Sequence, residues 1–422
     1  MAPKQRHFVF FSAISGNILE YYDFTVYSVF SILIGKTFFP EISEFAQILS
    51  SLAIFAVGFI TRPIGGVVFG YIGDKYGRRI ALILSMSGMT ATTFGIGFLP
   101  GYYDIGLAAP LLLVLLRLIQ GLCISGEGAG AAIFVLEHFG KLRSGLITGL
   151  VNGSNIAGTL IASFVGIIIN RNCCGDPDSW RYAFILGGIM GIFGAYLRIK
   201  TSETPIFKAL SKKKQTHKAP FTRVVQRSWH FMMLTMCVGG VASSVVYIVK
   251  TYVNVFYSNI MHYDNETSLL YLSYTSFILM LSMPLAGAIS DSIGRDKMLK
   301  LGATLLIIFT IPVMKFMGSG NFYSQIIALT MLGLLAGLMA GAAYIFVISL
   351  FRPQERFTGV SFSYNLGVAF FGGTSPMISR LLVEETEILF SPAFYIIFVS
   401  VLFLSVMHIM KKNISARMRY YS

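Results

Sequence analysis

The sequence predicts an all-α membrane protein with twelve transmembrane helices arranged as two pseudo-symmetric six-helix bundles. Three observations predict it. Only 12% of the 422 residues are charged and 55% are hydrophobic, which leaves too little charge to cover a water-facing surface of this size. The apolar residues gather into runs of about 18–28 residues, enough to cross a hydrocarbon core of about 30 Å with some tilt. One phrase is also written twice, as Gly70-Tyr-Ile-Gly-Asp74-Lys-Tyr-Gly77-Arg78-Arg79 and as Gly287-Ala-Ile-Ser-Asp291-Ser-Ile-Gly294-Arg295. Both copies read G-x-x-x-D-x-x-G-R and stand 217 residues apart, the mark of a duplicated half carried on hydrophobic segments.

The runs place spans near 8–35, 46–73, 80–99, 107–136, 144–170 and 181–199, and then near 229–258, 267–290, 298–316, 323–350, 357–383 and 391–410. The first run is long and holds Glu20 and Asp23, so it reads as a membrane helix rather than a cleavable leader. The widest break, 200–228, carries Lys208, Lys212, Lys213, Lys214, Lys218, Arg223 and Arg227. It is read as a cytoplasmic linker between an N-terminal bundle, 1–199, and a C-terminal bundle, 229–422, that ends in a short tail. Lys and Arg collect on the cytoplasmic side of a bilayer. With both termini inside, 25 of the 33 fall in cytoplasmic segments, five fall outside and three (Arg62, Arg117, Lys250) lie within spans. The net charge of +14 is thus an orientation signal in a multi-pass protein, expected in a bacterial inner membrane, and does not point to nucleic acid.

Glycine recurs every fourth residue at Gly145, Gly149 and Gly153 and again at Gly333, Gly337 and Gly341, the spacing that lets helix backbones approach where lipid gives no drive for association. Cys123 and Cys237 fall in spans, and Cys173 and Cys174 are neighbours in an external loop. No metal-ligand spacing, phosphate loop or Ser/His/Asp set is present, so no catalytic residues, metal or cofactor are expected and the protein is not read as an enzyme.

Six ionisable residues lie inside spans: Glu20, Asp23, Arg62, Arg117, Glu127 and Lys250. At about 2.5–3.5 kcal/mol each, leaving all six unpaired would cost on the order of 15–20 kcal/mol. They should therefore face one another or a wet cavity. Glu20 and Asp23, three residues apart, share a helix face, and two acids so close favour holding a proton between them. Salt bridges from that face to Arg62 or Arg117, holding helices together, are the alternative. Glu127 sits among small residues in Gly126-Glu127-Gly128 and is the third proton-linked candidate, with Arg62 and Arg117 as charge partners. Lys250 either meets a substrate carboxylate or snorkels to the membrane surface. Tyr247, Tyr252, Tyr364 and Asn365 would line a central cavity with it.

The repeated phrase has its own mechanics. An Asp closing one helix can accept from the exposed N–H groups that open a neighbour, and the following Arg can pair with acids nearby. Gly70, Asp74, Gly77, Arg78, Arg79, Gly287, Asp291, Gly294 and Arg295 are read as a conformational latch for one state of a two-state machine.

With these residues in hand, the chain resembles the major facilitator superfamily, whose loop between spans two and three reads G-x-x-x-D-x-x-G-R-R. Further phrases are similar to its metabolite:proton symporter branch: Gly16-Asn-Ile-Leu-Glu20-Tyr-Tyr-Asp23, Arg62-Pro63-Ile-Gly65-Gly66, Arg117-Leu-Ile-Gln120-Gly121 and Glu203-Thr204-Pro205, together with Arg356-Phe-Thr-Gly359 running on to Tyr364-Asn365. Tyr21 stands where the branch usually has Trp. Within the branch the chain looks most like the proline/betaine group. The resemblance implies alternating access and proton symport, with a small zwitterion such as proline or glycine betaine as the expected substrate; the protein is expected to work as a monomer, with substrate, protons and the lipid bilayer as its partners. Lys250 departs from the neutral residue expected there and keeps a di- or tricarboxylate such as 2-oxoglutarate as the rival substrate. A non-transporting sensor on the same scaffold is the third reading.

Overall fold

The computed structural model describes residues 3–40, 44–140, 143–172, 176–214 and 220–414. Cys173, Cys174, Lys218 and the end of the C-terminal tail lie outside them. Among the described residues the protein is helical throughout, without strands. In chain order the helices are α1 (Pro3–Val29), α2 (Ser31–Phe38), α3 (Glu44–Lys75), α4 (Arg78–Gly97), α5 (Tyr102–Ile105), α6 (Ala108–Phe139), α7 (Ser144–Asn172), α8 (Trp180–Lys200), α9 (Pro205–Lys212) and α10 (Pro220–Tyr247). A short α11 (Val253–Val255) follows, then α12 (Asn265–Ile293), α13 (Arg295–Met317), α14 (Phe322–Leu350), α15 (Arg356–Gly367), α16 (Ser375–Thr386) and α17 (Pro392–Ile409). Three π-helical segments, Ile248–Tyr252, Phe256–Ile260 and Val368–Gly372, extend α10 and join α15 to α16.

Ten of these helical stretches are long and apolar enough to cross a membrane, by length and composition among the described residues. The stretches at the first two expected spans, α1 with α2 and α3, are not among the ten. The protein is a multi-pass membrane protein.

Contacts divide the chain into two units. The first holds Met1–His138 with Ser154–Pro220, and the second holds Phe139–Gly153 with Phe221–Ser422. In the first unit, Tyr22, Tyr27, Phe30, Phe38, Trp180 and Phe184 belong to one apolar cluster. The Trp180 ring meets Phe38 and Phe184 edge-on at 6.0 and 5.6 Å. In the second unit both glycine stripes grip α12. A Cβ on Gly149 would sit 2.6 Å from the Met283 carbonyl oxygen, and one on Gly337 would run into the Ser282 side chain. Removing side chains there lets the backbones of α7 and α14 touch α12 from two sides, and contact at that range is what holds helices together in lipid.

The repeated phrase has one local cause in common. Gly77 and Gly294, each closing its copy before an Arg, take φ of 125° and 101° with ψ of 150° and 140°. That region is open essentially to glycine alone. Each makes the sharp reversal from which α4 or α13 starts, with no side-chain cap of its own.

Candidate transport site

Three clusters of buried charges stand out among the described residues of the first unit. The first centres on Asp23, fully buried on α1. Thr93 of α4 donates to its Oδ2, and so does Gln120 Nε2 of α6, at 3.1 Å. The same Gln120 accepts from Arg117 Nη1 through its Oε1, at 2.5 Å, and the Arg117 guanidinium lies 3.6 Å from the centre of the Tyr27 ring. Helical spacing builds this arrangement, because Arg117 and Gln120 are three apart on one face. Arg117 thus reaches Asp23 through an amide and not by direct contact.

Glu20 is also buried, on the Asp23 face of α1. Arg62, which the sequence offers as a partner for these acids, rests its guanidinium between two rings, 4.8 Å from Phe24 and 4.6 Å from Phe59. Cation–π contact of this kind offsets part of the cost of burying a guanidinium.

The second cluster holds Glu127. Its Oε1 is paired with Arg198 of α8, and both side chains are 1% exposed. Its Oε2 accepts from Ser85 at 3.1 Å. Arg198 was not among the intramembrane candidates, because by position it reads as one more cytoplasmic charge at the end of span six. The signal that finds it is the demand of Glu127 for a cation, together with the run of α8 on to Lys200.

The third cluster forms around the first copy of the phrase. Arg78, fully buried, donates through Nε to Glu137 at 3.2 Å and lies 3.4 Å from Asp74. Glu137 also accepts from Thr204 Oγ1 at 2.7 Å. Thr204 in turn caps α9 by accepting from Phe207 N, with Pro205 at the first helical position. Glu203 caps α4 from outside, accepting from the Arg79 backbone N–H at 3.1 Å. Arg79 Nη2 reaches the Ile199 carbonyl at 2.5 Å, and Gly70, which opens the phrase, is buried. Glu137 was not singled out from the sequence, and Glu203 only as part of the phrase Glu203-Thr204-Pro205, although a buried Arg calls for such acids.

The second copy lies at the start of α7. Asp291 accepts from Gly145 N at 2.8 Å and from Leu146 N at 3.1 Å, so its carboxylate seats on the opening N–H groups of α7. Arg295 Nη2 donates to Ser144 Oγ at 2.8 Å. A Cβ on Gly287 would strike the Gly145 carbonyl, so glycine is needed there for the approach.

The remaining candidates lie in the second unit. Lys250, half-buried, is carried by the π segment Ile248–Tyr252, one turn beyond the largely buried Tyr247. Tyr252 is fully buried, its ring 5.9 Å from Phe256. Tyr364 stacks on Tyr344 with centroids 4.6 Å apart, and Asn365 Nδ2 donates to the Ser361 carbonyl at 2.8 Å. A Cβ on Gly372 would lie 3.3 Å from the Tyr247 ring and run into Ser243 Oγ, which brings the two π-bulged helices together at that point. Among the described residues no group of acids, histidines and cysteines is arranged to hold a metal ion.

Comparison with known proteins agrees with this architecture. The family model described as Major Facilitator Superfamily matches residues 13–376. The proline/betaine transporter of Escherichia coli (strain K12) is 30% identical over 401 residues, covering 92% of this chain and 79% of that protein. A putative proline/betaine transporter of Staphylococcus aureus (strain MSSA476) is 31% identical over 397 residues, covering 92% and 84%. In fold, the chain is similar to the proton:xylose symporter XylE bound to 6-bromo-6-deoxy-D-glucose, with a TM-score of 0.79 at 18% identity over 98% of this chain and 97% of that one.

Proposed function

The chain belongs to the Major Facilitator Superfamily and is a membrane transporter, not an enzyme; from that premise we propose a proton symporter that takes up a small zwitterionic osmolyte, such as proline or glycine betaine, by alternating access. In this reading twelve spans form two six-helix bundles, 1–199 and 229–422, joined by the linker 200–228. Both termini face the cytoplasm of a bacterial inner membrane, and one chain suffices for transport.

The observation that carries proton coupling is the setting of Asp23. It is an acid wholly removed from water that takes its hydrogen bonds from the neutral donors Thr93 and Gln120, with the Arg117 cation held one amide away. Such a group can be emptied and refilled without breaking an ion pair. Glu20, on the same face, is its neighbour in the pathway. The relatives named as proline/betaine transporters support the substrate. Tyr247, Tyr252, Tyr364 and Asn365 are its proposed contacts, and the copies of the repeated phrase are the proposed latch.

The test is uptake of labelled proline, glycine betaine and 2-oxoglutarate into proteoliposomes, with and without an inward proton gradient. Gradient-driven accumulation of proline or betaine is expected. Asp23→Asn should abolish that accumulation while leaving exchange of internal for external substrate in place. Accumulation by the variant as strong as by the wild type would remove Asp23 from the role. A second reading, a dicarboxylate carrier, is favoured by Lys250 at a π segment. It predicts accumulation of 2-oxoglutarate alone, weakened by Lys250→Ala.

A further inference from the structure

We infer that Glu127 and Arg198 form a fixed internal strut of the first unit, and that Glu127 is therefore a positioning residue and not a carrier of the transported proton. The inference rests on the symport reading above, whose candidate carboxylates it sorts.

The geometry sets Glu127 apart from Asp23. Asp23 has neutral donors, whereas Glu127 has a guanidinium on one carboxylate oxygen and the Ser85 hydroxyl on the other. Beyond α6 and α8, which carry the pair, two further helices pack on it. Gly16 of α1 lies so close that a Cβ there would strike Glu127 Oε1 and stand 2.7 Å from Arg198 Nη2. Ser85 comes from α4 and Arg198 from α8. On α6 itself the Phe134 ring lies 5.9 Å from the guanidinium. Four helices therefore meet at one pair.

The dependence is mutual. Among the described residues, Arg198 Nε and Nη1 are buried with no hydrogen-bond acceptor, so the guanidinium relies on Glu127 for its compensation. A carboxylate that gave up this partner in every cycle would leave a buried cation stranded, a costly state. Gly16 and Asp23 are seven residues apart on α1, two turns or about 10 Å along the axis. The strut thus fixes α1 at one level, and the exchangeable acid sits at another. Its work is to hold the backbone of α1 against α6 and α8 so that Asp23 stays in register with Thr93 and Gln120.

A buried pair tolerates loss of both charges far better than loss of one, and this separates a strut from a carrier. Glu127→Gln, Arg198→Gln and the double variant would be compared with the wild type in two measurements, thermal unfolding in detergent and proton-driven uptake in proteoliposomes. The strut predicts that each single change lowers the unfolding midpoint and cuts uptake by about tenfold or more. The double variant should recover both, with uptake within about threefold of wild type and accumulation still driven by the gradient. A double variant that is stable and exchanges substrate but no longer accumulates it would make Glu127 a proton carrier and overturn the inference. Single variants as stable as wild type, or a double variant that does not fold, would overturn it as well. If the wild type itself shows no proton-driven uptake, the symport reading fails by itself, and the unfolding midpoints still decide the strut.

Discussion

Gln120 is the residue on which the Asp23 site turns. It is a single amide that gives its N–H to an acid and its carbonyl to a cation. Hydrogen bonds to charged groups contribute about 1.5–3 kcal/mol each, and Leu at this position would remove both while filling similar volume. Gln120→Leu is therefore expected to leave a folded but less stable protein whose proton-driven uptake falls at least tenfold. A variant that transports normally would show that Arg117 need not be tied to Asp23. Glu203 gives a second prediction at this scale. Burial raises its carboxyl above the ordinary value of 4.5, against the opposing pull of the Thr204 and Arg79 backbone N–H groups and the Arg78 charge. The folded protein then holds this proton more tightly than the unfolded chain does, so stability falls as pH rises from 4.5 through the raised folded value. Glu203→Gln should flatten that decline in the unfolding midpoint, and an unchanged slope would assign it to other groups. The sequence made the acids legible, because charge in a hydrophobic run cannot be missed, but it did not reveal how they pair. Arg198 and Glu137 lie close to predicted span ends, where a charge ordinarily points to water, and only the three-dimensional path of α6 and α8 turns them inward.

At the scale of elements, apolar run length located the helices, since crossing a bilayer fixes a minimum length that sequence shows directly. It did not show the interruptions. The chain breaks between α1 and α2 at Phe30, Ser228 inside α10 departs from helical geometry at φ −128°, and the expected linker holds the short helix α9. The π segments were equally hidden, because one extra residue in a turn leaves hydrophobicity unchanged, and such bulges gather at functional sites. The glycine stripes, by contrast, were legible as packing surfaces, and their partner proves to be α12 in both cases. A prediction follows from the distances. Ala at Gly149 would place a Cβ 2.6 Å from the Met283 carbonyl oxygen, a backbone atom that cannot rotate away. Overpacking of this kind costs about 1–3 kcal/mol. Gly149→Ala should therefore lower the unfolding midpoint and slow uptake. Gly58→Ala, where the nearest atom is 3.8 Å away, should change the midpoint little. Equal behaviour of the two would mean that the stripe is not in tight contact.

For the whole molecule, the two copies of G-x-x-x-D-x-x-G-R announce a duplication, and their glycines adopt the same rare backbone conformation in both places. Asp74 pairs with Arg78 inside the first unit, while Asp291 caps the start of α7 in the second. A backbone reversal of this kind needs a glycine whatever surrounds it, so the glycines carry the symmetry of the two copies. Orientation is the property of the whole chain that remains to be tested by experiment, and the charge distribution makes a definite forecast. Putting 25 of 33 Lys and Arg residues in cytoplasmic segments requires both termini and the 200–228 segment to lie inside, because translocating a basic loop against the membrane potential is unfavourable. Single cysteines introduced at Lys208 and at Lys412, in a background without the native four, should therefore resist a membrane-impermeant maleimide in intact cells and react once the membrane is opened. A cysteine at Asp178, in the loop between α7 and α8, should react in intact cells. Labelling of Lys208 or Lys412 from outside would reverse the topology, and the proposed direction of proton-driven uptake would reverse with it.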